Sequence, residues 1–344
     1  MLGGNPGRTG EHPGPGPSSQ PAERWRFETR GISSSPVVAD GVVYFGADEL
    51  CRAVDAETGA ERWHFPGTYG VRSTPAIIDG TVFFGDDSGL LNAVDAKLGI
   101  ARWQTQVADE AVSSSPVAVN GIVYVGGEDK DVSHGRLLAI DVATGREVWR
   151  YEANSAVWCS PAVANGLVYF GDRDLHAVDA LTGEEVWRTS VHIGYSAPAV
   201  VNGVVYVGSQ DASVTALDAA TGAGRWRFET VHGVFNSPAV SDDLVFVNDG
   251  DIDDDTVSVL YAIDASTGTE RWRFDLRSTG AQPTVAGGAV YVGCEDGVLH
   301  VQDANSGEER WTLSLDGPID GAPAVVNSTV YVGGLLELYA FGDR

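Results

Sequence analysis

Residues 161–187, PAVANGLVYFGDRDLHAVDALTGEEVW, contain one complete structural unit. The apolar runs at 162–164 and 167–170 flank Asn165-Gly166, a pair that tolerates positive φ at both positions and so closes a two-residue hairpin. A third run at 175–178 ends in Asp179, Leu-Thr-Gly supplies a second turn, and Trp187 marks a fourth run. Short runs bounded by turn residues, with no 3.6-residue period, predict an antiparallel meander of four strands, A to D.

The same order recurs along the chain. Its prolines fall at Pro36, Pro75, Pro116, Pro161, Pro198, Pro238, Pro283 and Pro323, spaced 37 to 45 residues apart. Hairpin pairs follow each of them: Asp40-Gly41, Asp79-Gly80, Asn120-Gly121 and Asn202-Gly203, with the variants Asp242-Asp243, Gly287-Gly288 and Asn327-Ser328. A period near 40 residues signals a solenoid or propeller. Single four-stranded units cannot bury both faces, whereas radial stacking buries them all, so the prediction is an all-β, eight-bladed β-propeller of four-stranded antiparallel blades.

The strand D tryptophans number seven after the first proline: Trp63, Trp103, Trp149, Trp187, Trp226, Trp272 and Trp311. The eighth is Trp25, ahead of it, while the last unit stops at its third strand, LYAFGDR. Residues 23–28 are therefore expected to complete the last blade and close the ring, removing its open edges. This divides the chain into a Gly/Pro-rich leader, 1–20, with no core of its own, and one propeller domain, 21–344.

Asp-Ala-x-Thr-Gly at 55–59, 179–183, 218–222 and 264–268, each followed by Trp four residues after the Gly, resembles the repeat of the pyrroloquinoline quinone (PQQ)-like propeller family. That family includes quinone-dependent enzymes, BamB-type outer-membrane assembly proteins and sensor domains of bacterial kinases. The resemblance covers 21–344 and implies that the Gly makes the turn between strands C and D while the Trp packs between blades. It is specific for fold, and because the repeat occurs in enzymes and non-enzymes alike it leaves activity open.

Acidic residues outnumber basic ones 48 to 22, a formal net charge of −26, and only Lys97 and Lys130 are lysines. This pattern resembles that of salt-adapted proteins, and it disfavours nucleic acid and anionic membranes as partners. No apolar run reaches the roughly 18 residues of a membrane span. No signal segment is visible in the chain as given, so a soluble protein is expected, with its compartment open. A monomer is expected.

Cys51, Cys159 and Cys294 lie far apart, which argues against both a disulfide framework and a zinc site. Nor is there the adjacent cysteine pair that a quinone dehydrogenase of this family would be expected to carry. No nucleophile elbow, HExxH or Walker loop occurs either. No catalytic residue and no cofactor are therefore expected, with PQQ and calcium as the minor alternatives. Asp249, Asp251 and Asp253 alternate as calcium ligands do, but the loop lacks the Gly and Glu of an EF-hand. His134 in the blade 3 loop reads as a surface residue.

Binding is the remaining chemistry. Loops from strand D to the next strand A end beside the central channel, and the residues three before each proline are Ser33, Arg72, Ser113, Trp158, Tyr195, Phe235, Gly280 and Asp320. Three aromatics on consecutive blades suggest a wall for a ring, a sugar or a peptide, with His192 and His232 above it and Arg72 and Asp320 opposite. The alternative is that the same rings plug the channel and exclude water, since a propeller channel needs filling and nothing polar is poised for chemistry. A binding or scaffold propeller taking a protein, peptide or small ligand is the expected function. A ligand-sensing domain and a PQQ-dependent dehydrogenase are the alternatives.

Overall fold

A computed structural model describes residues 4–12, 14–128, 134–241, 243–250 and 258–343. These residues form eight four-stranded antiparallel sheets arranged as blades, with no helix among them. Blade 4 shows the pattern: strand A at Ala162–Ala164, B at Leu167–Gly171, C at Leu175–Asp179 and D at Glu185–Thr189. Asn165 and Gly166 have φ of +53° and +78°, as a type I′ turn requires, and Asp40-Gly41, Asp79-Gly80, Asn120-Gly121 and Asn202-Gly203 repeat it. Asp242 lies outside the described residues.

Blade 8 is completed from the other end of the domain. Its strands Ala324–Val326, Thr329–Gly333 and Glu337–Gly342 are joined by Ala22–Glu28, which pairs antiparallel from Ala22↔Gly342 to Glu28↔Glu337, with Trp25 opposite Ala340. The closing strand is thus the outer strand of the last blade.

The core lies between blades. Tyr169, Ala177 and Trp187 of blade 4 pack on Val205, Val207 and Leu217 of blade 5, and Trp25 and Leu338 of blade 8 meet Val43 and Phe45 of blade 1 in the same way. Each strand D Trp from Trp25 to Trp272 donates its indole N–H to the carbonyl following the repeat Asp of the next blade, as Trp187 does to Ala219 at 2.9 Å. Gly222, at φ +70°, lies on the Trp187 ring so closely that a Cβ would come within 2.7 Å of it. The Gly of the repeat therefore serves both the turn and the neighbouring Trp.

The repeat Asp holds that turn shut. Asp55 accepts from the Glu57 and Thr58 amides and pairs with Arg62 at 2.7 Å; Asp303 likewise pairs with Arg310. The arginine hydrogen bond is the main cause that holds the carboxyls of Asp55 and Asp303 at about 2, and the Ser266 hydroxyl does the same for Asp264. A folded pKa below the unfolded value stabilises the fold above about pH 4 and stops doing so as pH falls toward 2. Melting temperature is accordingly expected to drop between pH 4 and 2. The Asp55→Asn, Asp264→Asn, Asp303→Asn triple variant should show a shallower drop, and an unchanged slope would remove these turns from the account.

The leader is not loose. Residues 6–12 cross the inner strands, where Val163, Val200, Val240 and Val285 donate their amides to the carbonyls of Pro6, Gly7, Thr9 and Gly10 at 2.5–2.9 Å, and Val325 donates to His12 Nδ1 at 3.0 Å. These five residues all stand two positions after the repeat proline, in blades 4 to 8. Arg8 is 1% exposed and its guanidinium reaches the carbonyls of Pro161 and Ser115 at 2.5 and 2.6 Å. Burial pulls its pKa down to about 9, so it is still charged at neutral pH. Burial also lowers His12 to about 4, which leaves Nδ1 free to accept.

Candidate functional site

Serines before the prolines of blades 1 to 6 hold the loops that face the channel. Ser34, Ser73, Ser114 and Ser196, two before the proline, accept from the strand B glycine amides of Gly46, Gly85, Gly126 and Gly208. In blade 4 the Cys159 thiol takes this part on Gly171, and burial pushes its pKa up to about 12. One position later the side chain links blades: Ser35, Ser115, Ser160 and Ser237 accept from the amides of Ala322, Thr74, Ser115 and Ala197. The third residue before the proline faces the mouth in several blades, as Tyr195, Phe235, Gly280 and Asp320 do beside one cavity.

There the aromatic side chains diverge in role. Trp158, half-buried, stacks on Tyr195 with centroids 5.3 Å apart and donates its indole N–H to Glu128 at 2.6 Å. Tyr195 is 54% exposed. With Phe235 it lines a cavity of about 360 Å³, shared with Asn236, Asp249, Thr279, Gly280, Glu295 and Asp320. A second cavity of about 390 Å³ is lined by Ser33, Arg72, Thr74 and again Asp320. Asp320 lines both cavities. The rings leave open space beside them.

The polar residues are placed less simply than the sequence suggests. Arg72 pairs with Asp87 at 3.1 Å and belongs to the second cavity, away from the aromatic wall. His192 is exposed at φ +46°, and neither its side chain nor that of His232 is among the residues lining either cavity. Burial raises the Asp320 carboxyl. His134 is exposed.

Asp249 has a structural task. It is 1% exposed and accepts from the amides of Val231, His232 and Val259 and from the Tyr261 hydroxyl. Asp86 and Asp172 hold the Thr68 and Asn154 amides in the same manner, each eleven positions after its proline. That recurrence was the available signal that Asp249 anchors a loop. Asp251 and Asp253 lie outside the described residues. Among the described residues, no group of three or more His, Cys, Asp or Glu is placed to hold a metal ion.

The leader and the His176 network escaped the sequence reading. His176, fully buried and stacked on Phe170, lies 3.0 Å from Asp172 and 3.2 Å from Glu185. Burial alone would raise Asp172, but hydrogen bonds led by His176 outweigh it and hold that carboxyl at about 2. The imidazole has no exposed surface through which to meet a substrate.

The sequence signature described as outer membrane protein assembly factor BamB matches residues 112–175, 171–260 and 255–337, more than half of the chain. The chain belongs to this family. BamB of Moraxella catarrhalis superposes with a TM-score of 0.79 at 19% identity, over 94% of this chain and 99% of that one. The quinohemoprotein alcohol dehydrogenase of Comamonas testosteroni gives 0.85 at 16% identity, over 99% and 80%. These two likenesses show the PQQ-like repeat propeller fold that the BamB family shares with quinone enzymes.

A curated relative, the dehydrogenase subunit of a quinone alcohol dehydrogenase from Gluconacetobacter polyoxogenes, is 27% identical over 224 residues, 64% of this chain and 22% of that protein. The chain thus matches about a fifth of that dehydrogenase's length. No helix of the described residues is long and apolar enough to cross a membrane.

Proposed function

We propose that this BamB-family propeller is a non-enzymatic binding protein that receives a peptide or protein segment on the face carrying the loops between strands D and A. The observation that supports this most is the depression itself: an exposed Tyr195 braced by Trp158, a cavity beside it, and loops fixed from below by paired serines. A rigid frame with a half-exposed aromatic wall suits capture of side chains at little entropic cost.

The quinone relatives raise a second reading. PQQ is a tricarboxylate, and the cavity beside the aromatic wall has no Lys, Arg or His among its described lining residues, so a divalent cation would have to offset its charge there. The three cysteines are buried and separate.

A peptide-library screen tests the proposal, run on the wild type and on a Trp158→Ala, Tyr195→Ala double variant. Hits are expected to bind the wild type and to weaken by tenfold or more on the variant, the loss of two aromatic contacts of about 1 kcal/mol each. Equal binding to both would move the partner elsewhere. A saturable absorbance change on adding PQQ with calcium would favour the enzyme reading instead.

A further inference from the structure

We infer that the inner edges of blades 4 to 8 form a binding site for an extended peptide carrying arginine between small residues, and that residues 6–12 are its resident occupant. This goes beyond the loop-face reading, since it concerns the wall of the channel. The leader sits there as a ligand would. The strand A amides of Val163, Val200, Val240 and Val285 donate to the carbonyls of Pro6, Gly7, Thr9 and Gly10, so successive blades are answered by successive parts of one extended chain. Main-chain bonds of this kind give affinity, and side-chain pockets give specificity.

The pocket here is the Arg8 site. Its guanidinium enters a closed ring of backbone carbonyls, Pro161 and Ser115 at 2.5 and 2.6 Å and Pro116 at 3.4 Å, drawn from blades 3 and 4. A planar fork of N–H donors suits such a set of acceptors better than a compact ammonium does. Gly7 and Gly10 press on the wall: a Cβ at the first would lie 2.7 Å from the Val200 carbonyl oxygen, and at the second 2.6 Å from the Ala239 Cβ. Neither place admits a larger residue without moving the chain. The wall therefore reads Gly-Arg-x-Gly.

What holds the leader also lets it be replaced. Its bonds to the wall are ones that a rival chain of the same pattern reproduces, and residues 5–12 contain no Val, Leu, Ile, Phe, Tyr or Trp to anchor them in the core. Nor does ring closure depend on this segment, since blade 8 is completed by Ala22–Glu28. A tethered occupant nevertheless outcompetes a free one, because a short tether gives an effective concentration on the order of millimolar. A partner peptide thus gains the site when the leader is loosened.

The test uses the full chain and a fluorescein-labelled peptide of residues 5–12, Asn-Pro-Gly-Arg-Thr-Gly-Glu-His, with binding read by anisotropy. Two substitutions loosen the resident leader by different means: Arg8→Ala empties the carbonyl site, and Gly10→Val forces the segment off Ala239. Each variant is expected to bind the peptide at least about tenfold more tightly than the wild type does, and to bind its citrulline counterpart at least about tenfold more weakly than the arginine form. Bound peptide should restore slow hydrogen exchange at Val163, Val200, Val240 and Val285. Adding Trp158→Ala and Tyr195→Ala to Arg8→Ala should leave the affinity unchanged, which separates this site from the loop face. The inference fails if both variants bind no better than the wild type, if the citrulline peptide binds equally, or if the two mouth substitutions abolish binding. Leader-dependent dimers of the wild type, with no gain in peptide binding by either variant, would assign the site to a second copy of the chain and overturn it.

Discussion

A chain starting at residue 29 is expected to lose the cooperative melting of the ring and to aggregate, while one starting at residue 17 melts cooperatively and stays monodisperse. The first lacks Ala22–Glu28, so the Glu337–Gly342 strand becomes an open edge with unpaired backbone groups, ready to pair with another molecule. It also removes Trp25, whose ring packs on Gly59 and whose indole N–H reaches Ala56 of blade 1. Two contacts that join the last blade to the first therefore disappear together.

The shorter deletion is a different experiment. It leaves the ring intact and takes away the leader, so the Val163, Val200, Val240, Val285 and Val325 amides turn from protein partners to water. Their hydrogen exchange should rise selectively, with a modest loss in melting temperature. Size-exclusion chromatography and thermal melts distinguish the two chains. A monodisperse residue-29 chain with unchanged melting would mean that the ring closes without this strand.

Replacing Trp187 by Ala is expected to cost roughly 3 to 5 kcal/mol, through lost burial and the cavity left behind. The ring is 9% exposed, packs on Tyr169 and Gly222, and carries a hydrogen bond to Ala219, so neighbours from two blades lose a partner at once. Trp158→Ala should cost far less, about 1 kcal/mol, because that ring is half-buried and stacks on one exposed neighbour. Denaturant titration of both variants measures the contrast. Equal, large losses would show that Trp158 fills a core and that the mouth is closed.

The ring was legible because its demands repeat. A turn that needs positive φ, a glycine beneath an indole and an aspartate that holds a turn leave the same letters eight times, or nearly so, and Trp25 could be placed by counting. The mouth was only partly legible. Position relative to the proline located Trp158, Tyr195 and Phe235 correctly on neighbouring blades, since backbone register alone decides that. It could not show that Arg72 turns to Asp87, because side-chain pairing across loops follows no period. The leader was harder still. Gly10 and Gly16 belong to the stretch that reads as a leader with no core of its own, yet each allows an approach that a Cβ would prevent: 2.6 Å from the Ala239 Cβ and 1.9 Å from the Tyr291 hydroxyl. In a one-off segment nothing distinguishes glycine chosen for closeness from glycine chosen for freedom.

Ring closure also sets an order of events in folding. Leu167 and Asp179 meet across 12 positions, whereas Ala22 meets Gly342 across 320 (342 − 22), and the added chain-closure entropy is about 3 kcal/mol. Hairpins and blades can therefore form locally and early, but the final pairing waits for the most distant contact in the domain. During synthesis the strand holding Trp25 emerges first and remains unpaired while three hundred further residues follow. The same holds for Arg8, which is made before Ser115 and Pro161, the carbonyls that will enclose it. The slowest kinetic phase of folding is therefore expected to be the docking of these early-made residues onto blades made much later.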